Sequence, residues 1–154
     1  MDDLGQRLAG HALVGLDTSI WIYHLEAHER YATLAEQILT SVQAGRPHAV
    51  LSVLTLMELN VRPYRLGRPG AAAHYEAMLS HFPNSQLVDV TPIVARRAAQ
   101  LRAIHSLRPV DALHVVTALI SGATAWVTND HQLRRISSVI DVIVLDDFLA
   151  IAAQ

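Results

Sequence analysis

Apolar residues in this chain alternate between two rhythms. Five short runs rich in β-branched and aliphatic residues lie at about 12–17, 48–54, 86–90, 124–128 and 141–145. Runs of that length, bounded by turn residues, read as buried strands. Between them apolar positions recur every three to four residues, the period of a helix. Leu34, Ala35, Ile38, Leu39 and Val42 mark a helix from about Tyr31 to Ala44, which Gly45 stops. Thr18 and Ser19 cap a helix through Ile20, Trp21, Tyr23 and His24. A helix from Thr55 to about Arg65 should be kinked or ended by Pro63. Further helices are expected over 70–82, from Thr91-Pro92 to about Ser106, after Pro109, and from Asp146 to Ala152. This β-α-β-α order predicts an α/β fold, three layers deep, with a central parallel sheet of about five strands and helices on both faces. The domain is expected over 13–152, preceded by an N-terminal extension over 1–12.

Four acidic residues stand out against that frame. Asp17, Glu58, Asp111 and Asp130 each sit where a strand runs out or a helix begins. In an open parallel sheet the carboxyl ends of the strands share one edge, and ligands bind in the crevice outside it. Carboxylates gathered there repel one another unless a cation lies between them, and their hard oxygens suit Mg²⁺ or Mn²⁺. Each acid also has an ordinary reading. Asp17 and Asp111 could cap helices, and Asp130 could close an Asx turn. Glu58 is harder to explain that way, because it follows Leu54, Leu56 and Met57 on an apolar stretch. All four ordinary roles holding at one sheet edge is a poorer account than one metal site.

Composition narrows the field. Cysteine is absent, which removes disulfides, thiolate zinc sites and cysteine nucleophiles together. The amino terminus carries acids where a signal peptide would be basic, and Ala112 to Asn129 is too polar for a membrane span, so a cytoplasmic protein without membrane contact is expected. All twelve basic residues are arginine, and the formal net charge is −2. If four of the fourteen acids form one pocket, twelve arginines face ten acids elsewhere, a mildly basic surface that permits phosphate binding. Arg62 and Arg65, one turn apart beyond Glu58, are the first candidates for phosphate contacts. His24 and His28 read as a surface pair, His114 as a packed histidine, and Asp146 with Asp147 as the cap and first turn of the last helix.

Leu16-Asp17-Thr18-Ser19-Ile20, Ser52-x-x-Thr55-x-x-Glu58, Pro109-x-Asp111-Ala112-Leu113-His114 and Val127-Thr128-Asn129-Asp130 together resemble the signature of the PIN-domain family. The toxins of VapBC-type toxin–antitoxin pairs are the nearest match, over about residues 13 to 150. The resemblance implies a Mg²⁺- or Mn²⁺-dependent endoribonuclease with Asp17, Glu58, Asp111 and Asp130 as its acidic site. Thr18 and Thr128 would support that site by hydrogen bonding. It also implies an RNA substrate, a small antitoxin partner whose tail blocks the acids, and a homodimer. The chain departs from the pattern in its residues before strand one and in its slightly acidic balance. Receiver domains and haloacid-dehalogenase-like phosphatases also use an aspartate after strand one, but they need a lysine that this chain lacks. No phosphate-binding glycine loop or serine elbow is present. The remaining alternative is a PIN-like module that binds and cleaves nothing.

Overall fold

The computed structural model describes residues 3–149. Its elements run α1 (Asp3–Ala9), β1 (Leu13–Leu16), α2 (Thr18–Leu25), α3 (Ala32–Gln43), β2 (His48–Ser52), α4 (Leu54–Arg65), α5 (Pro69–His81), β3 (Ser85–Val88), α6 (Pro92–His105), α7 (Pro109–Ile120), β4 (Ala125–Thr128) and β5 (Asp141–Val144). Short 3₁₀ turns occupy His131–Ile136 and Leu145–Phe148. All strand pairs are parallel, in the order β3-β2-β1-β4-β5. The expected three-layer α/β/α fold with a five-stranded parallel sheet is the observed one.

Side chains alternate across the strands, as a pleated sheet buried on both faces requires. Val14 and Leu16 of β1, Ala49 and Leu51 of β2, and Ala125 and Val127 of β4 face one core, filled by Trp21, Ile38 and neighbours from α1 to α5. Val50, Trp126, Val142 and Val144 face the other, filled from α6 and α7. Gly15 points into this second core and pairs in register with Trp126. A Cβ built there would lie 2.6 Å from the Ala118 Cβ and 2.6 Å from the Trp126 ring, so the glycine is a matter of space.

Three details differ from the sequence expectation. Pro63 neither ends nor bounds α4, which continues to Arg65; with the proline two residues from the end, the hydrogen bond it removes is lost only in the last turn. Asp146 and Asp147 lie in a 3₁₀ turn whose preceding cap is Val144, and Asp146 instead accepts from the Tyr31 hydroxyl at 2.6 Å and from His131 Nε2 at 2.6 Å. The end of the helix expected to Ala152 lies outside the described residues. Finally, α1 contributes Leu4 and Leu8 to the core, both nearly inaccessible. Among the described residues no helix is long and apolar enough to cross a membrane.

The α1 segment is also tied by charge. Arg7 forms a forked ion pair with Asp141 at the start of β5, and His11 bridges Asp141 and Thr124. Chiefly through Arg7, the Asp141 carboxyl is held below the ordinary carboxylate range. A depressed carboxyl stabilises the fold above its unfolded value and loses that contribution as pH falls through its folded value. Both side chains are at least a third exposed, so the pair contributes no more than about 1 kcal/mol. Arg7→Gln is therefore expected to lower the melting temperature by a few degrees at neutral pH, and melting curves in acid should show the difference closing.

Candidate active site

The carboxyl ends of β1 and β4 and the amino ends of α2 and α7 meet at one edge of the sheet. Helices joining parallel strands run against them, which brings their first turns to this edge. Asp17 follows β1 directly, and its backbone N–H donates to the Val127 carbonyl at 2.9 Å. It occupies the cap position of α2, where its side chain makes no hydrogen bond of capping geometry, although the Ser19 N–H is near enough to stabilise its charge. Thr128 instead donates its hydroxyl to Asp17 Oδ2 at 2.5 Å. The same Thr128 Oγ1 accepts from the Asp130 N–H at 3.0 Å. Asp130 does close the expected turn, its Oδ1 accepting from the Gln132 N–H at 2.9 Å. Its other oxygen accepts from Arg108 at 3.1 Å. Arg108 also donates to Asp111 Oδ2 at 2.7 Å.

Glu58 enters from α4. Its Oε1 accepts from the Thr18 hydroxyl at 2.8 Å and from His114 Nε2 at 2.5 Å. The Thr55 hydroxyl, 3.3 Å from that of Thr18, completes this side. A chain of contacts thus links Glu58, Thr18, Asp17, Thr128, Asp130, Arg108 and Asp111. Among the described residues, Glu58 and Asp111 each have one carboxylate oxygen held by a protein side chain and one that accepts no hydrogen bond, whereas the Asp17 carboxylate is held by the Thr128 hydroxyl and is also stabilised by the backbone N–H of Ser19. Asp130 has both oxygens engaged.

Burial pushes the Asp17 carboxyl up; the Thr128 hydrogen bond and the nearby imidazole of His114 only partly offset it, and the charge of Glu58 adds to the rise. Glu58 moves the other way. Its desolvation is outweighed by hydrogen bonds from His114 and Thr18 and by the charges of His114 and Arg108, so its carboxyl lies below the ordinary range. Arg108, held protonated by Asp111 and Asp130, also feels Asp17. One guanidinium is thus within electrostatic reach of all four acids.

The donor set suits a hard divalent ion in kind, since every available atom is a carboxylate oxygen. Among the described residues, however, no three His, Asp or Glu side chains are gathered closely enough to ligate one ion as they stand. Arg108 spans Asp111 and Asp130 instead. Arg108 is a participant that the sequence did not single out, and His114, expected as a packed histidine, is both packed and hydrogen-bonded to Glu58. Arg108 stands three residues before Asp111 and His114 three after it, so both share its helix end or face. That spacing was the available signal.

The remaining candidates lie to the side. Arg62 and Arg65 line a groove of about 570 Å³ between α2, α4 and α5, together with Glu58, Leu66, Arg68 and Tyr75. Arg62 is paired with Glu26 at 2.5 Å, whereas Arg65 and Arg68 have no ion-pair partner among the described residues. His24 and His28 do not share a helix face, because α2 ends at Leu25 and Ala27 takes a left-handed conformation. His28 packs against Tyr23 and Tyr31 instead.

Comparison with known proteins bears on this geometry. A family model described as the PIN domain matches residues 14–139. A toxin–antitoxin complex from Klebsiella pneumoniae superposes with a TM-score of 0.64 at 20% identity, over 85% of this chain and 96% of that one. VapBC2 from Rickettsia felis, bound to a DNA fragment from its promoter, superposes with a TM-score of 0.62 at 19% identity, over 84% and 96% of the two chains. At such identities the likeness is one of fold. No curated protein matches the chain.

Proposed function

The chain belongs to the PIN domain family, and we propose that it is a divalent-cation-dependent endoribonuclease acting as the toxin of a toxin–antitoxin pair. PIN domains are generally nucleases and generally use divalent ions. The observation that carries the reading is the state of the acids at one sheet edge: Glu58 and Asp111 each have one oxygen fixed and the other free, and Asp17 beside them is oriented by Thr128. The free oxygens of Glu58 and Asp111, with the Asp17 carboxylate, would hold the ion. When bound, it supplies Lewis-acid polarisation of a phosphoryl oxygen and a lowered pKa for water. Thr18 and Thr128 keep their carboxylates oriented without adding charge. Asp130 anchors Arg108, whose guanidinium can pass from the carboxylates to a phosphate, because it binds both with the same planar fork. The groove along α4 gives a substrate strand a basic wall, in which Arg65 and Arg68 are unpaired and Arg62 shares its charge with Glu26. The fold shared with toxin–antitoxin complexes supports a small protein partner, which we place over the same edge, and we propose a homodimer as the working unit.

Arg108 bridging two acids is the one observation that favours a non-cleaving binding module instead. A single pair of assays separates the readings. Purified protein is expected to cut RNA in Mg²⁺ or Mn²⁺ and to lose the activity in EDTA, and its expression without a partner should halt growth where Glu58→Gln does not. Full-rate cleavage in EDTA sinks the metal mechanism. Equal growth arrest by both forms sinks the toxin reading.

A further inference from the structure

His114 is the buried ionisable group that the mechanism above leaves without a task. Its side chain is 2% exposed, in the middle of α7, beside Trp126 at a ring-centroid distance of 6.1 Å. Its Nε2 lies 2.5 Å from Glu58 Oε1, and its Nδ1 is buried without a hydrogen-bond partner. A carboxylate oxygen can only accept, so Nε2 carries the proton of this contact, and Nδ1 is left without a partner. A histidine there for packing alone would be a poor choice. An aliphatic side chain would fill the space and leave no polar atom unpaired. The contact with Glu58 is the only hydrogen bond it makes among the described residues.

We infer that His114 is the positioning residue of this site: from within the core it fixes Oε1 of Glu58 and so leaves Oε2 as the oxygen offered to the cation. The inference rests on the nuclease reading. The Thr18 hydroxyl alone leaves Glu58 free to rotate about its last torsion, exchanging the two oxygens. A second donor from the opposite partner, α7, removes that freedom. Thr18 belongs to α2, His114 to α7 and Glu58 to α4, so three separate helices agree on one orientation. Such outer hydrogen bonds to ligating groups typically affect metal affinity or activity by about 10- to 100-fold.

The test is Mn²⁺ affinity by calorimetry, with cleavage measured beside it. His114→Leu is expected to weaken Mn²⁺ binding at least tenfold, and His114→Gln, whose amide nitrogen reaches the same point, should recover most of it. In a Glu58→Gln background the leucine change should then cost almost nothing further. Unchanged affinity in His114→Leu, or the same loss with and without Glu58, overturns the inference. Failure of the parent to bind Mn²⁺ or cut RNA overturns the nuclease reading and this inference with it. If the leucine variant does not fold, nitrogen NMR of the parent's imidazoles decides: a His114 ring that carries a proton on Nε2 and whose signals shift when Mg²⁺ is added is required, and a ring without a proton on Nε2 overturns the assignment.

Discussion

Asp17→Asn is expected to reduce RNA cleavage by on the order of 10³-fold while leaving the melting temperature in EDTA at neutral pH equal to or above that of the parent. The two effects share a cause. Asp17 lies within reach of the Glu58 charge, and burial lifts its carboxyl above the ordinary range despite the hydrogen bond from Thr128. A carboxyl raised by folding makes its full contribution to stability only below its unfolded value, and that contribution is lost as pH rises through the folded one. At neutral pH the charged form is therefore a burden on the fold. Asparagine keeps an oxygen to accept from Thr128 and removes the charge. Asp111, by contrast, is paired with Arg108 and has a compensation that Asp17 lacks. A clear fall in stability for Asp17→Asn in EDTA would make the residue a structural support and remove it from the site.

Gly15→Ala is expected to cost about 3 kcal/mol, because the added methyl meets the Trp126 ring and the Ala118 Cβ at distances that real contacts do not reach. For a domain of this size that is a fall of roughly 6–12 °C in melting temperature. The strand is central and paired on both sides, so the backbone has little room to yield. Combining the change with Trp126→Leu should cost less than the sum of the two single changes, since the removed ring is the main obstacle. A Gly15→Ala protein that melts with the parent would show that the second core can shift, contrary to its close packing.

The fold was legible because its strands are short apolar runs with helical stretches between them, and that pattern needs no knowledge of distant contacts. Helix α1 escaped the same reading. Seven residues with two leucines are too short for a periodic signal, and only the pocket made by the rest of the chain gives Leu4 and Leu8 a place to go. Within the site, sequence order located the acids but not their partners. Asp17 looked like a cap and holds the cap position, yet its hydrogen bond comes from Thr128, 111 residues away. His114 looked like packing and is packed, yet it also reaches Glu58 across 56 residues. Helical spacing records which residues share a face of one element. It carries nothing about which element stands opposite.

The strand order has a consequence for how the chain is made. The first strand synthesised is the centre of the sheet, and one of its two neighbours, β4, follows only about 110 residues later. At roughly 5–20 residues per second, β1 waits on the order of ten seconds for that partner. Thr128 and Asp130 arrive with it, so Asp17 is without its orienting hydroxyl until then. A nascent chain of this protein holds its first carboxylate early and its working arrangement last. On the proposed nuclease reading, the site therefore stays incomplete while most of the chain is still attached to the RNA that encodes it.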